Sequence, residues 1–175
     1  MKKIILSLDA YGWIKYCSGL ILENSSEYRI MLIYKERGED GIVGYKKLCM
    51  EAIAAQRRHD IARIGRKLGI KSIINLNYEH FIDEDHLVMN LKLESTFGKV
   101  SELYCPYNEV LSPILDKIAK EIGVETFYFG NNINRKEKKI VDTSKFSSKL
   151  QDIQTAMIGI PDTSYLEFPL IENFY

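Results

Sequence analysis

The chain has 175 residues, 46% of them hydrophobic and 27% charged, the size and balance of a single domain, residues 1–175, that can bury its own core. Lys+Arg and Asp+Glu both number 24, so no basic excess marks a nucleic-acid binder, and no apolar run reaches the roughly 18 residues of a membrane span. Cys17, Cys49 and Cys105 fit neither a zinc spacing nor a disulfide framework, which points to a reducing cytoplasm.

The opening run MKKIILSLDAYGW stays apolar for only a few residues before Asp9, short of the roughly 7–15 of a secretory core. It reads as a buried strand, Lys2 to Leu8, bounded by the turn-like DAYG. YRIMLIY (Tyr28 to Tyr34) is a second such strand. A long helix is expected from Tyr45 to Leu68, with a stripe at Met50, Ile53, Ile61, Ile64 and Leu68 that ends at Gly69. Lys71 to Asn77 is a third strand. The acidic segment YEHFIDEDH follows, then a strand at Leu87 to Leu93 and an extended run from Val100 to Tyr104. Ser112-Pro113 reads as an N-cap and first helical residue, opening a helix that carries Ile114, Leu115, Ile118 and Ile122 inward and stops at Gly123. Val124 to Phe129 is another strand. The last helix begins near Ser144 and buries Phe146, Leu150, Ile153 and Met157, and the tail from Pro161 to Tyr175 packs back on the domain.

Apolar strands alternating with amphipathic helices predict an α/β Rossmann-like three-layer sandwich with a mainly parallel sheet. Ligands of such sheets bind at the carboxyl ends of the strands, where strand order reverses. The stretch after the first strand, DAYGWIKYCSG, is therefore the first place to seek chemistry. It lacks the glycines and lysine of a phosphate cradle. Either Asp9, Tyr11 and Trp13 wall a ligand pocket, or the aromatics plug the end of the sheet.

Arg57 falls on the apolar stripe of the long helix, where a guanidinium needs a partner or a ligand. Asp60, three residues on, is a candidate partner. The two readings are an ion pair anchoring the helix to a loop, and an anion clamp. His80 and His86 lie in EHFIDEDH, read as a surface loop with solvated acids rather than a metal site. His59 is expected to be exposed and Cys49 to be a packing residue. No serine or cysteine sits in a nucleophile pattern, so no catalytic residue is assigned.

Several motifs share an order along the chain. DAYGW is followed by IKYCSG, with Cys17 and Gly19 in a small-residue patch, and ERGEDG (Glu36 to Gly41) follows the second strand. Arg57-Arg58-His59-Asp60 precedes Leu68-Gly69-Ile70, and KLQDIQTAM precedes the aromatic EFPLIENFY. Together these resemble the PIG-L/LmbE family of zinc-dependent N-acetyl-sugar deacetylases, in which HPDDE, a T-x-G-E loop and R-R-x-E stand at the corresponding places. The resemblance implies a deacetylase-like fold and zinc held by the histidine and second aspartate of HPDDE, with the first aspartate as general base. The matching positions here are Asp9, Gly12 and Tyr11. The family's later Asp-His pair corresponds to Asn108-Glu109. Glycine offers no ligand atom, and a phenol is a poor base at neutral pH.

The expectation is thus a divergent, cytoplasmic member with a degenerate active site and no cofactor. It would bind a sugar-like or nucleotide-sugar ligand, or a protein partner, through Asp9, Tyr11, Trp13, Arg57 and Glu109. The alternative is a metal-dependent hydrolase of a carbon–nitrogen (amide) bond, in which Asp9, Glu109 and a histidine of EHFIDEDH hold zinc or another divalent cation. A generic α/β nucleotide binder is a third reading.

Overall fold

The computed structural model describes residues 1–24, 27–38, 42–43, 46–158 and 167–175, with backbone alone at 42–43 and 46. Five strands form one parallel sheet: β1 (Lys2–Ser7), β2 (Tyr28–Tyr34), β5 (Ile73–Tyr78), β6 (Val100–Pro106) and β7 (Glu125–Phe129). Their order across the sheet is β5-β2-β1-β6-β7. The chain therefore winds outward from β1 to β5, returns beside β1, and winds the other way. The reversal lies between β1 and β6, and the crevice outside their carboxyl ends is the expected ligand position.

Side chains alternate across each strand and so feed two cores. Ile5, Ile30 and Tyr104 face α1 (Gly12–Glu23), α2 (Met50–Lys67) and α5 (Ser147–Ala156). Ile4, Leu6, Met31 and Leu103 face α3 (Glu84–Thr96) and α4 (Leu111–Ile122). Both faces being covered explains why the strands read as unbroken apolar runs. Two small antiparallel pairs complete the fold: β3 (Ile42–Val43) with β4 (Lys46–Lys47), and β8 (Lys139–Asp142) with β9 (Ile171–Phe174).

Four elements depart from expectation. Leu87 to Leu93 is helical, inside α3, with Asp83 capping it by accepting from the His86 amide. Much of DAYGWIKYCSG is the helix α1, not a loop. The long helix starts only at Met50, which is exposed, while Lys46–Lys47 is β4; Tyr45 lies outside the described residues. Ser112 is already inside α4, where its Oγ accepts from the Asn108 amide. Gly123 does stop α4, at φ +71°, the left-handed conformation glycine adopts without penalty. Of the tail, Ile171–Phe174 packs back as β9, whereas residues 159–166 lie outside the described ones.

The cysteines divide by environment. Cys17 and Cys105 are buried, and burial pushes both thiols well above their ordinary range. Cys49 is exposed at the N-cap of α2 and is not a packing residue. A thiol reagent should therefore label one cysteine in the native protein and three after unfolding, counted by intact mass. Native labelling at Cys17 or Cys105 would contradict this packing.

Candidate functional site

The turn after β1 is built around its own hydrogen bonds. Asp9 Oδ1 accepts from the amides of Tyr11 (2.8 Å) and Gly12 (2.6 Å), and Ser7 Oγ accepts from that of Trp13 (3.1 Å). These are the first amides of α1, which a helix leaves unpaired unless side chains take them. The turn after β6 repeats the device. Asn108 Oδ1 accepts from the amides of Val110 and Leu111, both at 3.0 Å, at the start of α4. The two turns that flank the reversal of strand order are thus closed by their own side chains.

Beside the first turn a cleft of about 530 Å³ opens at the carboxyl ends of β1, β2 and β5. It is lined by Leu8 and Asp9 after β1, Tyr34 to Arg37 at the end of β2, Arg57 of α2, and Glu79 and His80 after β5. Backbone bonds fix its rim: the Tyr34 amide donates to Leu8 O and the Lys35 amide to Tyr78 O. Charges of opposite sign are matched around it. Arg57 meets Glu36 at 2.9 Å, Lys35 meets Glu79 at 3.3 Å, and Arg37 donates to the Glu79 carbonyl at 2.8 Å. The cleft therefore carries donors and acceptors together with no dominant sign.

The structure brings only part of the expected set together. Asp9 and Arg57 both line the cleft. Arg57 pairs with Glu36 in the loop after β2, so the helix-to-loop ion pair is the arrangement observed, with a partner other than the Asp60 expected. Tyr11 is buried below the surface, its hydroxyl 3.4 Å from Asp60 Oδ2. Burial first, and the nearby Asp60 carboxylate second, push its phenol far above the ordinary value, so it stays protonated and is no base. Trp13 is fully buried in the core, with no face left for stacking on a ligand. Glu109 is exposed after β6 and lies outside the lining of this cleft.

Lys35, Glu36, Arg37 and Glu79 were missed as site residues, and His80 was weighed only as a metal ligand of the hydrolase alternative. Each follows the carboxyl end of β2 or β5, so the rule that placed attention on the turn after β1 applies equally to them. His59 is exposed, as expected. His86 is tied down at the start of α3, its Nδ1 2.9 Å from the Tyr78 hydroxyl. His80 is exposed beside the cleft.

The zinc that the family resemblance implies does not fit these residues. Asp9 Oδ1 is engaged by two amides, Tyr11 is buried against Asp60, and Gly12 has no donor. Among the described residues no group of three histidine, cysteine or carboxylate side chains is placed to hold a metal ion. A hydrolytic zinc needs three protein ligands and an open position. Nor is any helix among the described residues long and apolar enough to cross a membrane.

No protein-family model matches the sequence, and the search of curated proteins gives no match either. Solved structures do match. One is N,N'-diacetylchitobiose deacetylase from Pyrococcus horikoshii complexed with its inhibitor MPG, at a TM-score of 0.71 and 17% identity, covering 99% of this chain and 82% of that one. Another is the conserved protein TT1542 from Thermus thermophilus, at a TM-score of 0.66 and 14% identity, covering 99% of this chain and 93% of that one. From strand order, layer arrangement and these matches, the chain has a deacetylase-like α/β fold.

Proposed function

We propose that this protein is a divergent member of the PIG-L/LmbE-like group that binds a sugar or nucleotide-sugar ligand in the cleft at the carboxyl ends of β1, β2 and β5, without zinc deacetylation. The observation that carries this reading is the division of labour at the turn after β1. Asp9, at the place of a metal ligand, is spent on capping α1, and Tyr11, at the place of the general base, is buried in the core, while the adjoining cleft keeps charge-matched donors and acceptors. Such a set suits hydroxyl groups, which donate to carboxylates and accept from guanidinium and ammonium groups. The balance of charge favours the sugar over the nucleotide sugar, whose phosphates would call for an excess of cations that this cleft lacks.

A panel of amino sugars and sugar nucleotides, titrated by calorimetry, tests the proposal. At least one should bind, and Asp9→Asn should weaken it roughly tenfold, about the effect of one charge-assisted hydrogen bond. Asparagine keeps an acceptor for the Tyr11 and Gly12 amides, so the cap survives while the charge is lost. Trp13 fluorescence is a poor reporter because the indole is buried. Stoichiometric zinc in the purified protein, lost together with amide hydrolysis in Asp9→Asn, would establish the hydrolase instead. No binding across the panel would favour a protein partner.

A further inference from the structure

The opposite edge of the sheet carries a second, differently charged cavity. It measures about 430 Å³ and lies at the amino ends of the strands, between Lys2 of β1, Arg29 of β2, Lys71 before β5 and Lys99 before β6. Separate segments of the chain thus each contribute a cation to one hollow. Glu27, its only acidic lining residue among the described ones, lies 3.9 Å from Lys3. In a chain whose charges balance, this is a local surplus of positive charge held in a concave surface, where field lines concentrate.

Behind the lining side chains Lys2 and Arg29 negative charge is scarce. Glu94 is buried; its Oε2 accepts from Arg29 at 2.7 Å and lies 3.8 Å from Lys2 Nζ. One carboxylate therefore serves two cations. Lys2 Nζ is shielded from solvent and makes no hydrogen bond with any described residue. Gly98, at φ +153°, makes room for this lysine, since an added Cβ would come within 2.9 Å of its Cε. At the rim, Lys71 and Lys99 are exposed and form no ion pair among the described residues. Ammonium and guanidinium groups converging on one hollow suit the oxygens of a phosphoryl group.

We infer that the cavity at the amino end of the sheet, between Lys2, Arg29, Lys71 and Lys99, binds a phosphoryl-bearing anion. It is independent of the sugar cleft, from which the length of the strands separates it. The chemistry is shared by a soluble phosphate ester and a phospholipid headgroup, and two arms separate them. Inorganic pyrophosphate is titrated by calorimetry at low ionic strength, and sedimentation is measured with vesicles of phosphatidylserine in phosphatidylcholine. Binding in either arm should weaken at least roughly tenfold in the double variant Lys71→Glu/Lys99→Glu, and should fall as salt is raised. Lys35→Glu, in the other cleft, should leave it unchanged. These substitutions are all at exposed sites, and unchanged circular dichroism and thermal unfolding would show that the fold is intact. Pyrophosphate binding identifies a soluble ligand, and vesicle binding alone identifies a headgroup. Absence of binding in both arms, or binding unaffected by the double variant, overturns the inference.

Discussion

Replacing Asp60 by alanine should destabilise the protein by about 2–4 kcal/mol, because one buried carboxylate joins three parts of the fold. Asp60 is fully buried. Its Oδ1 accepts from Gln56 Nε2 (3.1 Å) and Arg63 (2.8 Å), and its Oδ2 accepts from the Ile158 amide (2.8 Å) and faces the Tyr11 hydroxyl. Helix α2, the end of α5 and the turn that begins α1 are thereby tied together. Alanine would strand the amide and the phenol without an acceptor, which costs more than the bonds contribute when intact. The guanidinium of Arg63 is partly exposed and can turn to water, which keeps the expected loss near the lower end. Tyr11→Phe removes only the long 3.4 Å contact and should cost under about 1 kcal/mol. Urea unfolding of the two variants decides the matter. A loss below about 1 kcal/mol for Asp60→Ala would mean that the network can be dispensed with.

The second large effect is on the pH dependence of stability. Glu172 of β9 is buried against the middle of α1, where its two carboxyl oxygens accept from the amides of Gly19 (2.7 Å) and Leu20 (2.8 Å). Desolvation outweighs those two bonds and pushes the carboxyl up to about 8, with nearby Glu23 adding to the shift. The unfolded chain releases this proton near 4.5. Between those values the folded state holds more protons than the unfolded one, so stability should fall as pH rises from about 4.5 to about 8. Below that window the contribution is fully present, and above it the loss is complete. The total is on the order of 5 kcal/mol. Glu102 and Asp116, whose carboxyls are held below their ordinary range, act with the opposite sign but at lower pH. Glu172→Gln should therefore flatten the profile of urea midpoints measured from about pH 5 to about pH 9. An equal slope in variant and wild type would remove Glu172 as the cause.

The regular part of the fold was legible because its pattern is periodic. Tyr28–Tyr34 coincides with the expected strand, and α2 and α4 show inward residues at helical spacing where Ile61, Ile64, Leu115 and Ile118 are buried. Helix α3 hid its period by being apolar on two sides. Leu87 and Leu91 face the core while Met89 and Leu93 are exposed, so the run imitates a strand. Helix α1 hid for a different reason. Trp13, Ile14, Cys17, Ser18, Gly19, Leu20 and Ile21 are all buried, which leaves little polar face to reveal it.

The site was legible as a location but not as a set of contacts. The alternation of strands and helices and the rule of carboxyl ends led to Asp9, but the cleft opens beside β2 and β5 and not at the reversal of strand order between β1 and β6. The sequence could not say that its carboxylate is occupied by the amides of Tyr11 and Gly12, or that the partner of Arg57 lies 21 residues upstream at Glu36. Trp13 was misjudged because an aromatic in a turn and an aromatic in the first turn of a buried helix look alike in one dimension.

The bonded turn after β1 also acts as a ratchet against re-engineering. A histidine at position 9 would uncork two amides of α1, and a side chain at position 12 would bring its Cβ to 3.0 Å from Ser7 Oγ and 3.3 Å from Asp9 Oδ1. Neither change is tolerated comfortably before the other. Installing a metal-holding cradle here would thus require several coordinated replacements, because the side chains of Ser7 and Asp9 already occupy the turn.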